Sequence, residues 1–159
     1  SLQLQSEDVK YSSQSFEQRL YALFEAEINQ RQDKRIKRFL NAAKLKDKLA
    51  SLDQIQYLPK RKIDKSVVSS LASCDFITNS QNVLITGATG TGKSYLAQAL
   101  ARRAISLGYP AKYYRIATLL EEIKTSRLDG SYTKTLTKIS KFKLLILDDF
   151  GINPLSSDE

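Results

Sequence analysis

The sequence predicts an α/β fold, a parallel sheet flanked by helices and preceded by a small N-terminal helical part. Three observations predict it. From Gln81 onward, strand-like apolar runs alternate with helical patterns, the order that builds a parallel, doubly wound sheet. From about Ser13 to Leu52 the apolar residues recur instead at helical spacing. And three of the chain's six glycines, Gly87, Gly90 and Gly92, crowd into six positions at a strand-to-helix junction.

Each element follows from its residues. Ser15 and Gln18 have the spacing of a capping box, and Phe16, Leu20, Leu23, Phe24 and Ile28 then form one helical face. A polar stretch, "NQRQDKR", reads as a break before Ile36, Phe39, Leu40 and Ala43 resume an apolar stripe. "IQYLPKRKID" holds a proline in a basic cluster and reads as linker. A short helix is expected around Ser66–Ala72. "NVLIT" is expected to be the first strand, and Lys93 to Leu107 a helix stopped by Gly108. "AKYYRI" gives a second strand. Thr118 and Glu121 are expected to cap "LLEEIKTSRL", which Gly130 ends. "KLLILDD", Lys143 to Asp149, is the third strand, its middle apolar as in a strand covered on both faces. There is no internal repeat, and the expected division is a basic helical portion with its linker at 1–62 and a core at 63–159.

Composition narrows the function classes. The chain has 159 residues, 42% of them apolar, enough for one core with an appendage. No apolar run approaches the roughly 20 residues of a membrane span, and "SLQLQSEDVK" is not a signal peptide, so a soluble cytoplasmic protein with no membrane partner is expected. One cysteine, Cys74, and no histidine exclude a disulfide framework and Cys/His zinc sites. The lack of methionine, even at position 1, points to a chain that is processed, trimmed or incomplete. A formal charge of +8 favours polyanionic partners.

"GATGTGKS", Gly87 to Ser94, satisfies G-x-x-x-x-G-K-[ST] between a predicted strand and a predicted helix. In that setting the glycines let successive backbone N–H groups turn inward around phosphates, and the helix N-terminus adds the positive end of its dipole. The expected nucleotide-binding set is Gly87, Ala88, Thr89, Gly90, Thr91, Gly92, Lys93, Ser94 and Tyr95. Lys93 is expected to reach the β- and γ-phosphates and the Ser94 hydroxyl to ligate Mg²⁺. Asp148, at the end of "LLILDD", supplies the second metal-binding oxygen, and Asp149 is the candidate for orienting or deprotonating an attacking water. Lys93, Asp148 and Asp149 are thus the catalytic candidates. No Asn-Lys-x-Asp segment that would read guanine is present, so ATP is favoured. Phe76 and Ile77, before the first strand, are candidates for packing the base or equally for the core.

Between Arg31 and Lys48 eight Lys/Arg stand against two Asp, a net +6. At about 100° per residue, Arg31, Lys34, Arg35 and Arg38 form one stripe, rotated away from the apolar one. This stripe is a candidate DNA-backbone contact, salt-dependent and sequence-tolerant; the plain alternative is a solvated basic face.

Together, "FEQRLYALFEAEINQRQDKRIKRFLNAAKL", the P-loop, "LLEEIKTSRLDGS" and "KLLILDDFGINPL" resemble the IstB-like ATP-binding proteins. These are AAA+ helpers of insertion-sequence transposition, related to DnaC-type helicase loaders. The resemblance implies a P-loop NTPase fold of the AAA+ type and the use of ATP and Mg²⁺. It also implies ATP-dependent self-assembly on duplex DNA, bending of that DNA and recruitment of a transposase, with hydrolysis regulating the assembly. Carried over by position, Gly87–Ser94 is the Walker A loop and Asp148–Asp149 the Walker B pair. It further implies a sensor-bearing strand between the Walker A and Walker B strands, then an arginine finger and a lid. Glu159 follows Asp149 by only ten residues, so a fragment is expected, with the strands at Val83–Thr86 and Leu144–Asp148 lacking their shared neighbour. The rival readings are a helicase loader serving a replicative helicase in DNA replication, a P-loop metabolite kinase, and a module in which ATP only locks an oligomer.

Overall fold

In the computed structural model, residues 15–57 and 63–150 are described. Ser15 and Gln18 bond reciprocally, Ser15 N–H to Gln18 Oε1 at 3.0 Å and Gln18 N–H to Ser15 Oγ at 3.2 Å, and start α1, Phe16–Ala43. The expected break at "NQRQDKR" does not occur. Gln, Arg and Lys are good helix formers, and an Arg31–Glu27 pair one turn apart, at 2.7 Å, bridges the stretch. Contacts divide the chain into residues 1–38 and 39–159. In the first unit Phe16, Leu20, Phe24 and Ile28 keep their apolar face exposed.

The second unit holds α2 (Lys65–Ala72), α3 (Asp75–Thr78), α4 (Lys93–Ser106), β1 (Ala111–Arg115), α5 (Ile116–Leu128), α6 (Tyr132–Ile139) and β2 (Leu144–Asp148). Asp64 caps α2, its carboxylate accepting from Ser66 N–H at 2.7 Å. Cys74, Phe76 and Ala104 are buried together, with Leu71, Ile77, Tyr109 and Leu144 packed against them. Phe76 and Ile77 are therefore core residues here. The capping box expected at Thr118 is not used, because the N-cap of α5 is Arg115, three residues earlier and the last residue of β1. α6 is an element that the sequence pattern does not announce.

β1 and β2 pair in parallel, Ala111 opposite Leu144 through Arg115 opposite Asp148. They are the whole of the described sheet. The strand expected at "NVLIT" is not formed. Val83 is 38% and Leu84 84% exposed; an apolar run becomes a strand only when a neighbour takes its backbone groups, and neither β1 nor β2 does so. Nor is β2 covered on both faces. Ile146 is buried, while Leu145 and Leu147 on the opposite face remain exposed.

After α1 the chain runs along α4. Asp47 N–H donates to Gln98 Oε1 at 2.8 Å, Arg102 Nη1 to the Lys48 carbonyl at 2.9 Å, and Ser51 N–H to Tyr95 Oη at 3.1 Å. Tyr95, Gln98 and Arg102 share one helix face by their spacing. That face holds a strap of backbone against the helix that the glycine loop opens.

Candidate nucleotide site

Gly92 sets the geometry at the start of α4. It is the N-cap at φ 93° with no side-chain cap, and Gly90 stands at φ 80°. Nothing lies within 4 Å of a Cβ built on either one, so the demand for glycine here is conformational rather than steric. Ala88, Thr89 and Gly90 are exposed. Thr91 Oγ1 donates to the Ala88 carbonyl at 2.8 Å, closing the loop on itself. Lys93 Nζ donates to the carbonyls of Gly87 and Ala88, both at 2.8 Å, which holds its ammonium in the concavity of the loop. The Tyr95 side chain points elsewhere, its hydroxyl donating to Gln54 Oε1 at 2.9 Å. Its backbone remains in the first turn of α4.

Ser94 and Asp148 meet. Ser94 Oγ donates to Asp148 Oδ1 at 2.9 Å across 54 residues of sequence. On the carboxylate's other side Tyr113 Oη donates to Asp148 Oδ2 at 2.5 Å. Burial works to raise the Asp148 pKa, and the bonds from Tyr113 and Ser94 outweigh it, so the carboxyl is held below its ordinary value. Tyr113 is shifted up, by burial first and then by its carboxylate neighbour, and stays a neutral donor. Two hard oxygen ligands in contact suit Mg²⁺, which takes one or two protein oxygens and completes its octahedron with phosphates and water. Among the described residues no cluster of three or more His, Cys, Asp or Glu offers an all-protein cage instead. The Ser94 and Asp148 oxygens thus form a donor set that fits Mg²⁺.

Asp149 takes a left-handed backbone, φ 61°, and its carboxylate pairs with Arg115 Nε at 3.3 Å. Arg31, Lys34, Arg35 and Arg38 are all exposed on α1, in the first unit. Sequence reasoning missed Tyr113 and Arg115. The signal was the alternation in "AKYYR", which places Tyr113 and Arg115 on one face, but only the register with β2 brings that face to Asp148 and Asp149.

A glycine loop opening a helix, with its lysine and hydroxyl beside an acid at the end of a parallel strand, defines an α/β P-loop nucleotide-binding protein. The chain belongs to the family of IstB-like ATP binding proteins, whose match runs over residues 1–159. It is 40% identical over 146 residues to a Pseudomonas fluorescens protein named as an ATP-binding protein of insertion sequence IS1162, covering 92% of this chain and 63% of that one. A Sinorhizobium fredii protein named as an insertion sequence ATP-binding protein is 34% identical over 139 residues, 87% of this chain and 56% of its own length. A Pseudomonas aeruginosa protein named for insertion sequence IS21 is 29% identical over 109 residues, 69% of this chain and 41% of its own length. The chain thus spans less than two thirds of each of these curated relatives.

Proposed function

We propose that this chain is the nucleotide-binding portion of an ATPase that assists DNA transposition. The observation that carries the reading is the Ser94–Asp148 contact, which joins the glycine loop to the strand-end acid in a chain of this family. In the proposed site the backbone N–H groups from Gly87 to Tyr95 cradle the phosphates of ATP, helped by the dipole of α4. Lys93 exchanges its two loop carbonyls for phosphate oxygens. Ser94 and Asp148 hold Mg²⁺, which when bound neutralises charge on the phosphates. Asp149 orients the attacking water once it leaves Arg115.

The names of the relatives support the transposition context. We extend it to assembly of several copies on duplex DNA and recruitment of a transposase, a division of labour between a basic N-terminal portion and an ATP-binding core. Arg31, Lys34, Arg35 and Arg38 contribute phosphate contacts in this reading. Sedimentation of the full chain with ADP or a slowly hydrolysed ATP analogue, on duplex and on single-stranded DNA, tests it. Growth into multi-subunit complexes on duplex only with the analogue is expected. Assembly on single strands alone favours a helicase loader instead, and no dependence on DNA removes the transposition role.

A further inference from the structure

Asp148 is gripped from two elements at once. Its Oδ1 accepts from Ser94 in α4 and its Oδ2 from Tyr113 in β1, at 2.9 and 2.5 Å. The register explains the second grip. Tyr113 lies opposite Ile146, so Asp148 is its diagonal neighbour on the same face, within reach of a tyrosine and beyond that of a shorter side chain. The ring is buried, at 7% exposure, and the Lys46 ammonium lies 5.3 Å from its centroid. Its position is therefore fixed by packing before its hydroxyl meets the acid. Turning a carboxylate bonded only to Ser94 about its last torsion costs one hydrogen bond; with Tyr113 on the other oxygen the same turn costs two.

We propose that Tyr113 is a positioning residue for the proposed metal site, setting the orientation in which Asp148 presents its oxygens to Mg²⁺. The inference rests on the ATP and Mg²⁺ reading above and goes beyond it in assigning a residue outside both Walker motifs. Its hydroxyl bonds Asp148, so it acts through that acid, as partners behind a metal ligand do. The plain alternative is a buried tyrosine that uses Asp148 only to satisfy its own hydroxyl.

Tyr113→Phe keeps the ring and removes the bond. The full chain is titrated with a fluorescent ATP analogue, first without metal and then with rising Mg²⁺, and direct Mn²⁺ binding in the presence of the nucleotide is followed by electron paramagnetic resonance. Metal-free nucleotide binding is expected to stay unchanged, because Asp148 meets the nucleotide only through the metal. The Mg²⁺ needed for half-effect, and the Mn²⁺ dissociation constant, are expected to rise about tenfold, the low end for the loss of such a partner. In an Asp148→Asn background the same change is expected to have no further effect. Equal metal dependence in wild type and Tyr113→Phe overturns the proposal while leaving the nucleotide site standing. A wild-type chain with no metal-dependent nucleotide binding overturns both.

Discussion

Two apolar runs, "NVLIT" and "LLILD", are nearly interchangeable as sequence, yet they end in different states. Leu144–Asp148 is β2, paired along its length with β1 and burying Ile146. Asn82–Thr86 joins no strand and leaves Leu84 84% exposed. Both carry the residues of the proposed site at their C-terminal ends. Apolar content and β-branching state only that a segment fits a sheet; the neighbour decides whether it enters one. The glycine loop is held instead from its other side, through α4 and its contact with the acid on β2.

The largest expected effect breaks that comparison directly. Ile146→Ala is expected to cost roughly 2–4 kcal/mol by creating a buried void, and Leu84→Ala about 0.5 kcal/mol or less, as at an exposed site. Urea denaturation of both variants measures it; similar losses would mean that Asn82–Thr86 is buried in solution. Next, Gly92→Ala is expected to cost about 1 kcal/mol or more, from the left-handed backbone at φ 93° rather than from contact. Thermal denaturation reads it.

A smaller effect lies in the acid limb. Because its folded pKa is depressed, Asp148 contributes stability that is present above the ordinary value of 3.8 and lost as pH falls through the lower folded value. Asp148→Asn is expected to flatten the stability profile in that acid window. An unchanged profile would mean that the carboxylate makes neither bond. The smallest effect is expected for Arg115→Ala. Its pair with Asp149 is exposed, 58% and 43% at the two side chains, so the loss should stay under about 1 kcal/mol in the same denaturation assay.

Much was legible where the signal is local. The Ser15–Gln18 cap, the helix after the P-loop, the strand at "AKYYR" and the acid at the end of "LLILD" follow from neighbours in sequence. Other features depend on partners far along the chain. No spacing shows that Tyr113 meets Asp148 or that Tyr95 faces Ser51 and Gln54; register and the path of the strap decide both. α6 was hidden by Thr133, Thr135 and Thr137, whose β-branched side chains mask a helix that presents Tyr132, Leu136 and Ile139 at helical spacing. The polar "NQRQDKR" is the opposite case, since its Gln, Arg and Lys residues favour helix without any apolar periodicity.

The central claim is that the loop at the end of one run and the acid at the end of the other form a single site for ATP and Mg²⁺. Isothermal titration of the full chain with ATP, with and without Mg²⁺, beside Lys93→Ala and Asp148→Asn, tests it most directly. The account predicts saturable binding to the wild type, its loss in Lys93→Ala, and in Asp148→Asn a weakening of tenfold or more that appears only when Mg²⁺ is present. Absence of binding by the wild type, or equal affinity in all three proteins, would contradict it.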